Sequence, residues 1–134
     1  MTHKLNPYLT FGGDAREAME FYETVFGGAL TLQSFKEAGI AQTPDQEHLI
    51  MHGELITSDG MTIMGSDDPE LVSSPASVAV SGDDEDTLAA YWDKLSEGAT
   101  IIAPFETAPW GDTFGMLTDQ FGTRWMVNVV LPKA

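Results

Sequence analysis

The order of periodic segments in this chain runs twice. LNPYLTF reads as a short strand, and DAREAMEFYETVFGG follows with Ala18, Met19, Tyr22, Val25 and Phe26 at the three- and four-residue spacing of one helix face. Asp14 is placed to cap that helix, and Gly27 or Gly28 to stop it. The strand-like ALTLQSFKE, a loop with Pro44, and the runs HLIMHGELIT and MTIMGS around the turn SDG complete the order β, α, β, β, β. After DDPELVSSP, read as a linker, the order returns as ASVAVS, the helix DDEDTLAAYWDKLSEG, then ATIIAPF, DTFGMLTD and RWMVNVVL. Side chains repeat with it: at an offset of 69 residues Gly13 and Asp14 stand opposite Gly82 and Asp83, Met19 opposite Leu88, Tyr22 opposite Tyr91, and Phe26 opposite Leu95. Asp59-Gly60 before MTIM parallels Phe121-Gly122 before TRWM, which sets Met64 opposite Met126. Two such half-domains can bury sheet faces on each other, which neither can do alone. The expectation is a single α+β domain over residues 1–134, made of modules at about 5–66 and 76–131.

Composition removes several classes of function. A length of 134 residues suffices for one core, and 43% hydrophobic with 20% charged residues is the balance of a folded soluble domain. Six basic against twenty-one acidic residues leave a net charge of −15, which repels phosphate backbones and anionic lipid headgroups, so neither nucleic acid nor a membrane surface is an expected partner. With no cysteine, disulfides, thiolate nucleophiles and cysteine-held metals are excluded together. MTHKLNPYL lacks the apolar core and cleavage site of an export signal, and a cytoplasmic location is expected.

The segments NPYLTFGGDAREAMEFYETVFG, IMHGEL, TIMGSDD and PWGDTFGMLTDQFGTRWMVNVV, in that order, resemble the vicinal oxygen chelate superfamily, the glyoxalase, bleomycin-resistance and extradiol dioxygenase group. Within it the chain is similar to the PhnB-like branch, also labelled 3-demethylubiquinone-9 3-methyltransferase-like. The resemblance implies two βαβββ modules forming a curved mixed sheet around a cavity, a small-molecule ligand and a homodimer. It also implies metal ligands on the first and last strands of both modules, and these positions fall here on Pro7, Met64, Ser77 and Met126. None offers the imidazole, carboxylate or thiolate that a divalent catalytic ion needs, so no metal and no cofactor are expected, and Met126 marks an apolar, polarizable floor. FGGD and WGDTFG are too short and wrongly placed to be a nucleotide-binding turn, which leaves the methyltransferase label without support.

Several side chains can still do chemistry. His48 and His52 share a strand face but stand about 13 Å apart at ~3.3 Å per residue, too far for one ion. His52 and Glu54, two apart, can reach a common ligand, with His52 as general acid or base held by Glu54; the alternative is a His and a Glu on a solvated face. A three-residue loop Ser58-Asp59-Gly60 with Gly60 left-handed would set Glu54 beside Met64 on the cavity face, whereas a two-residue loop would turn both away. On the last strand Arg124, Met126 and Asn128 share one face, Trp125, Val127 and Val129 the other, and the second set should pack on a helix. Arg124 and Asn128 would then orient a polar or anionic compound, although an exposed ion pair also accounts for Arg124. Asn128, polar within WMVNVV, needs a hydrogen-bond partner. The loop PFETAPWGDTFG brings Phe105, Trp110 and Phe114, with Glu106 and Asp112 as polar contacts; it suits a lid or pocket wall, or a cover over core or dimer seam.

These features point to metal-independent binding of a small organic molecule in a Met- and aromatic-lined cavity, by a sequestering module or an enzyme of unassigned reaction. Two alternatives stay open: a metal-dependent lyase, isomerase or dioxygenase with non-standard ligands, and a dimeric interaction protein with a collapsed cavity.

Overall fold

Alternating burial along the strands assigns each side chain to a face. The computed structural model describes residues 5–68 and 76–130, and the chain divides into two compact units between residues 74 and 75. Most of the expected linker, with Leu131 at the end of the second module, lies outside the described residues.

The first unit comprises strand β1 (Tyr8–Phe11), helix α1 (Ala15–Phe26), β2 (Ala29–Ser34), the single-turn helix α2 (Phe35–Ala38), a 3-10 turn at Pro44–Gln46, β3 (Ile50–Ile56) and β4 (Thr62–Asp67). Its sheet order is β1-β4-β3-β2, with β1 parallel to β4 and the other neighbours antiparallel. A parallel pair cannot be closed by a tight turn, and α1 with the two strands after it makes the crossover. The expected stripe is buried, with Ala15 added to Ala18, Met19, Tyr22, Val25 and Phe26. It covers Leu9 and Phe11 of β1, Leu55 of β3 and Ile63 of β4, all buried. Asp14 holds the N-cap position and Gly27, at φ 69°, ends the helix, as the sequence indicates.

The second unit repeats the plan with β5 (Ser77–Gly82), α3 (Glu85–Leu95), β6 (Thr100–Thr107), β7 (Thr113–Thr118) and β8 (Arg124–Val129), in the order β5-β8-β7-β6 with β5 parallel to β8. Leu88, Tyr91, Trp92 and Leu95 of α3 are buried, and Trp125, Val127 and Val129 of β8 are sealed on the same side. No helix among the described residues is long and apolar enough to cross a membrane.

Three departures from the sequence reading have local causes. ALTLQSFKE stops being a strand at Ser34: its hydroxyl accepts the Glu37 N–H at 3.1 Å, and the Glu37 carboxylate accepts the Ser34 N–H at 3.0 Å. This reciprocal cap turns the chain into α2, and those bonds, the Ser34 N–H first, hold the Glu37 carboxyl below its usual range. The cap of α3 is Asp84, one residue past the repeat partner of Asp14; it accepts the Thr87 hydroxyl at 2.8 Å and the Thr87 N–H at 3.2 Å, which lowers its carboxyl pKa as well. Lastly, the strand register sets Leu9 beside Gly65 but Val80 beside Val127, so β1 and β5 correspond at an offset of 71, not the 69 of the helices.

Two buried carboxylates tie these elements together. Asp67, 3% exposed at the end of β4, accepts the Ala15 N–H at the start of α1 and the Ile50 N–H at the start of β3, each at 2.9 Å. Asp119 accepts the N–H groups of Phe121 (2.9 Å) and Thr123 (3.0 Å) and the indole N–H of Trp125 (2.8 Å). Removing either acceptor strands donors in the interior, at about 1–3 kcal/mol per group. Asp67→Ala is therefore expected to lower unfolding stability by roughly 2–5 kcal/mol in urea titration; a loss under about 1 kcal/mol would show that the two N–H groups find other partners.

Candidate functional site

Each sheet has one face under its helix and one face turned away from it, and the expected site residues sort between them. In the first unit the register Tyr8, Met64, Glu54, Thr31 runs straight across β1, β4, β3 and β2 on the face away from α1. That row exists because of the β3–β4 hairpin. Thr57 donates its N–H to the Met61 carbonyl at 2.8 Å, Gly60 returns its N–H to the Thr57 carbonyl at 2.9 Å, and Gly60 has φ 83°. This is the three-residue loop with a left-handed glycine, so Glu54 pairs with Met64 and shares its face with His52. The contact made by His52 is with Tyr8, whose hydroxyl lies 3.3 Å from Nδ1 with the rings 5.8 Å apart. Sequence reasoning paired His52 with Glu54 and passed over Tyr8. The signal was available only through the register of β1 on β4, which joins segments more than fifty residues apart.

In the second unit three rows cross the face turned away from α3. They are Ser77, Arg124, Thr118 and Thr100; then Ala79, Met126, Met116 and Ala103; then Ser81, Asn128, Phe114 and Glu106. Arg124, Met126 and Asn128 thus share a face, and Met116 joins them unforeseen. Two rows separate Arg124 from Asn128, about 13 Å along the strand at ~3.3 Å per residue. The β6–β7 loop closes like the 57–61 turn: Ala108 N–H to the Asp112 carbonyl at 2.7 Å, Gly111 N–H to the Ala108 carbonyl at 2.9 Å, Gly111 at φ 103°. It is a fixed hairpin end, and it stands Trp110 edge-on to Phe114 with ring centroids 5.6 Å apart. Trp110 remains 63% exposed.

Phe105 goes to the other side. Ala103 pairs with Met116 and Glu106 with Phe114, so three steps on β6 match two on β7, a bulge between Ala103 and Glu106 that follows another shift between Ile101 and Ala103. The extra residue turns Phe105 beneath the sheet, where it stacks on Trp92 at 5.5 Å and 20°. Gly115 leaves the room: a Cβ there would lie 2.8 Å from the Trp92 indole and 3.0 Å from the Phe105 Cα. Phe105 is thus part of the helix-side packing, away from Met126 and Asn128.

The polar end of the face is set by one amide. Asn128 Nδ2 donates to Asp112 Oδ2 at 3.3 Å, while Asn128 Oδ1 is buried with no partner. Turning the amide over would aim its carbonyl at the carboxylate, so Asp112 fixes the orientation. A buried acceptor left unsatisfied costs about 1–3 kcal/mol.

The metal positions do not fit an ion. Pro7 precedes β1, and Tyr8 is the residue that registers with Met64; Ser77 pairs with Arg124, and Ala79 with Met126. A proline, an alanine, a serine and two thioethers offer no set of hard or borderline donors, and a lone phenol beside them does not complete one. Among the described residues no three His, Asp or Glu side chains converge as ligands. A separate cleft of about 650 Å³ in the first unit is lined by Phe35, Ile40 and Leu49 together with polar residues that include Asp45, Asp67 and Asp68. Its inner polar atoms are already engaged, both Asp67 oxygens by N–H groups and Gln46 Oε1 by the Gln42 N–H. Among the described residues, the buried side-chain atom without a hydrogen-bond partner is Asn128 Oδ1.

Replacing Asn128 by leucine removes that acceptor together with its only donated bond. Asn128→Leu is expected to melt within a few degrees of the parent or above it, because an apolar residue of similar size there strands nothing buried; a fall of about 8 °C or more would show that Oδ1 has a structural partner.

Comparison with known proteins agrees with this architecture. The sequence model described as Glyoxalase/Bleomycin resistance protein/Dioxygenase superfamily matches residues 4–127. Protein YjdN of Escherichia coli (strain K12) is 27% identical, over 94% of this chain and 95% of its own length. The crystal structure of protein PA1353 from Pseudomonas aeruginosa superposes with a TM-score of 0.79 at 30% identity, covering 98% of this chain and all (100%) of that one. A PhnB protein from Bacillus cereus gives a TM-score of 0.75 at 26% identity, over 96% of this chain and 100% of its own.

Proposed function

The chain belongs to the glyoxalase/bleomycin resistance protein/dioxygenase superfamily, with the α+β fold of paired βαβββ modules, and from that premise we propose that it binds a small organic molecule without a protein-held metal ion. The reading rests on the unpartnered Asn128 Oδ1. A buried acceptor left unsatisfied costs about 1–3 kcal/mol, and a ligand donor that reaches it would offset that cost. Around it the second unit supplies what an apolar ligand body needs. Met116 and Met126 give adjacent polarizable thioethers, Phe114 a ring beside the amide, and Trp110 a further aromatic surface at the rim. Arg124 lies at the far end of this surface, where it serves solubility or a distal contact.

The test is a fragment screen by NMR on protein with labelled methionine methyls, run before and after EDTA. Fragments that bind are expected to shift Met116 and Met126, with affinities unchanged within twofold by the chelator. Hits that vanish with EDTA and return with added divalent ion would replace this reading by the metal-dependent lyase, isomerase or dioxygenase.

A second reading is favoured by the Tyr8 and His52 contact on the first unit. An imidazole oriented by a phenol, with Glu54 two residues along the same face, is a competent proton-transfer group, and turnover there would make the protein an enzyme. His52→Gln is expected to lower any detected turnover by about 100-fold while leaving fragment affinity intact; unchanged turnover would remove His52 from the chemistry.

A further inference from the structure

The face of the second unit also specifies what kind of polar group its ligand carries. Resting on the reading that this face binds a small molecule, we infer that the ligand is a flat aromatic compound that presents an N–H donor, as in an aryl amide or aryl amine, to Asn128 and Asp112, and that aryl carboxylates and phosphates are excluded.

The polar complement near Asn128 consists of acceptors. The Asn128 amide donates to Asp112 Oδ2 and keeps Oδ1 buried without a partner. Asp112 is a carboxylate, with lone pairs beyond the one that Asn128 uses. The same row ends in Glu106, registered opposite Phe114, so a second carboxylate stands on this face. Ser81, registered with Asn128 from the other side, and the indole N–H of Trp110 at the rim can donate, but neither carries a positive charge. An anion placed here would meet two carboxylates and a carbonyl oxygen, and the cation on β8, Arg124, is two rows away, about 13 Å at ~3.3 Å per residue. The chain's charge of −15 adds to that repulsion. An N–H group instead completes Oδ1 and gains a charge-assisted bond to Asp112. The body of the ligand follows from its neighbours. Met116 and Met126 are paired across β7 and β8, and Phe114 and Trp110 stand edge to face. Thioethers and ring edges favour a planar aromatic system over a branched aliphatic one.

The probes are 2-naphthamide and 2-naphthoate, which share a body and differ in the polar group. Titration of methionine-methyl-labelled protein is expected to show 2-naphthamide shifting Met116 and Met126 with a Kd at least about tenfold below that of 2-naphthoate. Asn128→Leu should bring the amide to the level of the carboxylate. Asp112→Asn, which frees the Asn128 amide to turn over, should narrow the preference toward unity. If 2-naphthoate binds as tightly as the amide or more tightly, the donor inference is overturned while the binding face stands. If neither probe moves those two methyls while fragments of other shapes do, the aromatic part of the inference fails. Silence of both methyls to every fragment would instead remove the binding reading itself.

Discussion

A buried aspartate at the end of β4 determines how the first unit closes. The two oxygens of Asp67 are each engaged by a backbone N–H, one at the start of α1 and one at the start of β3. A single side chain therefore fixes the entry of the helix and the entry of the strand whose hairpin returns to β4. The second unit has the same element order and the same sheet order, yet the residue in that place is Val129, fully buried. Its helix is capped locally instead, by Asp84 through Thr87. The repeat is 69 residues along the helix stripes but 71 along the first strands.

The carboxylate of the second unit does other work. Asp119 begins the β7–β8 turn, and Thr57 holds the corresponding place before β4, where its hydroxyl accepts the Met61 N–H at 3.0 Å. The turn geometry is common to both, and to the loop at Ala108–Asp112: an outer N–H to carbonyl pair, an inner bond from glycine, and that glycine left-handed. Only Asp119 reaches onward to the indole of Trp125, the largest side chain among those fully buried. Such a hairpin end leaves no freedom of register, and a one-residue slip would carry Met64 or Met126 to the helix face.

What could be read from the sequence, and what could not, follows the range of the interactions. The helix stripes, Gly27 and the division of β8 into Trp125, Val127, Val129 against Arg124, Met126, Asn128 are local periodicities, and they stand as read, whereas Asp14 holds the N-cap position without a side-chain cap bond and Asp67 accepts the Ala15 N–H. The site of His52 and Glu54 hinged on one loop length, stated in the sequence as Ser58-Asp59-Gly60 but decided by a hydrogen-bond pair. SFKE carried its own signature, a serine three residues before a glutamate, which the strand-like run before it masked. Phe105 was misplaced because alternation counted from Ala103 puts it beside Met116, and the bulge between Ala103 and Glu106 breaks the count. Tyr8 was missed since its partner is set by parallel pairing of β1 on β4, which no window of sequence contains.

The corresponding rows of the two units show how the halves of a repeated fold have parted. Tyr8, Met64, Glu54 and Thr31 cross the first sheet where Ala79, Met126, Met116 and Ala103 cross the second. One methionine is common to both rows. Around it the first unit has gathered a phenol and a carboxylate, with an imidazole in reach of the phenol, and the second a further methionine and two alanines. Groups that exchange protons have collected on one sheet and groups that hold an apolar body on the other. The next row continues the contrast, with Asn128 bare at its oxygen beside Phe114. A row built around thioethers does not suit a divalent ion, so hydrogen bonds are the means of polarising a bound molecule that fit these side chains. Among the described residues the acceptor at Asn128 and the Tyr8 and His52 pair are groups able to supply them.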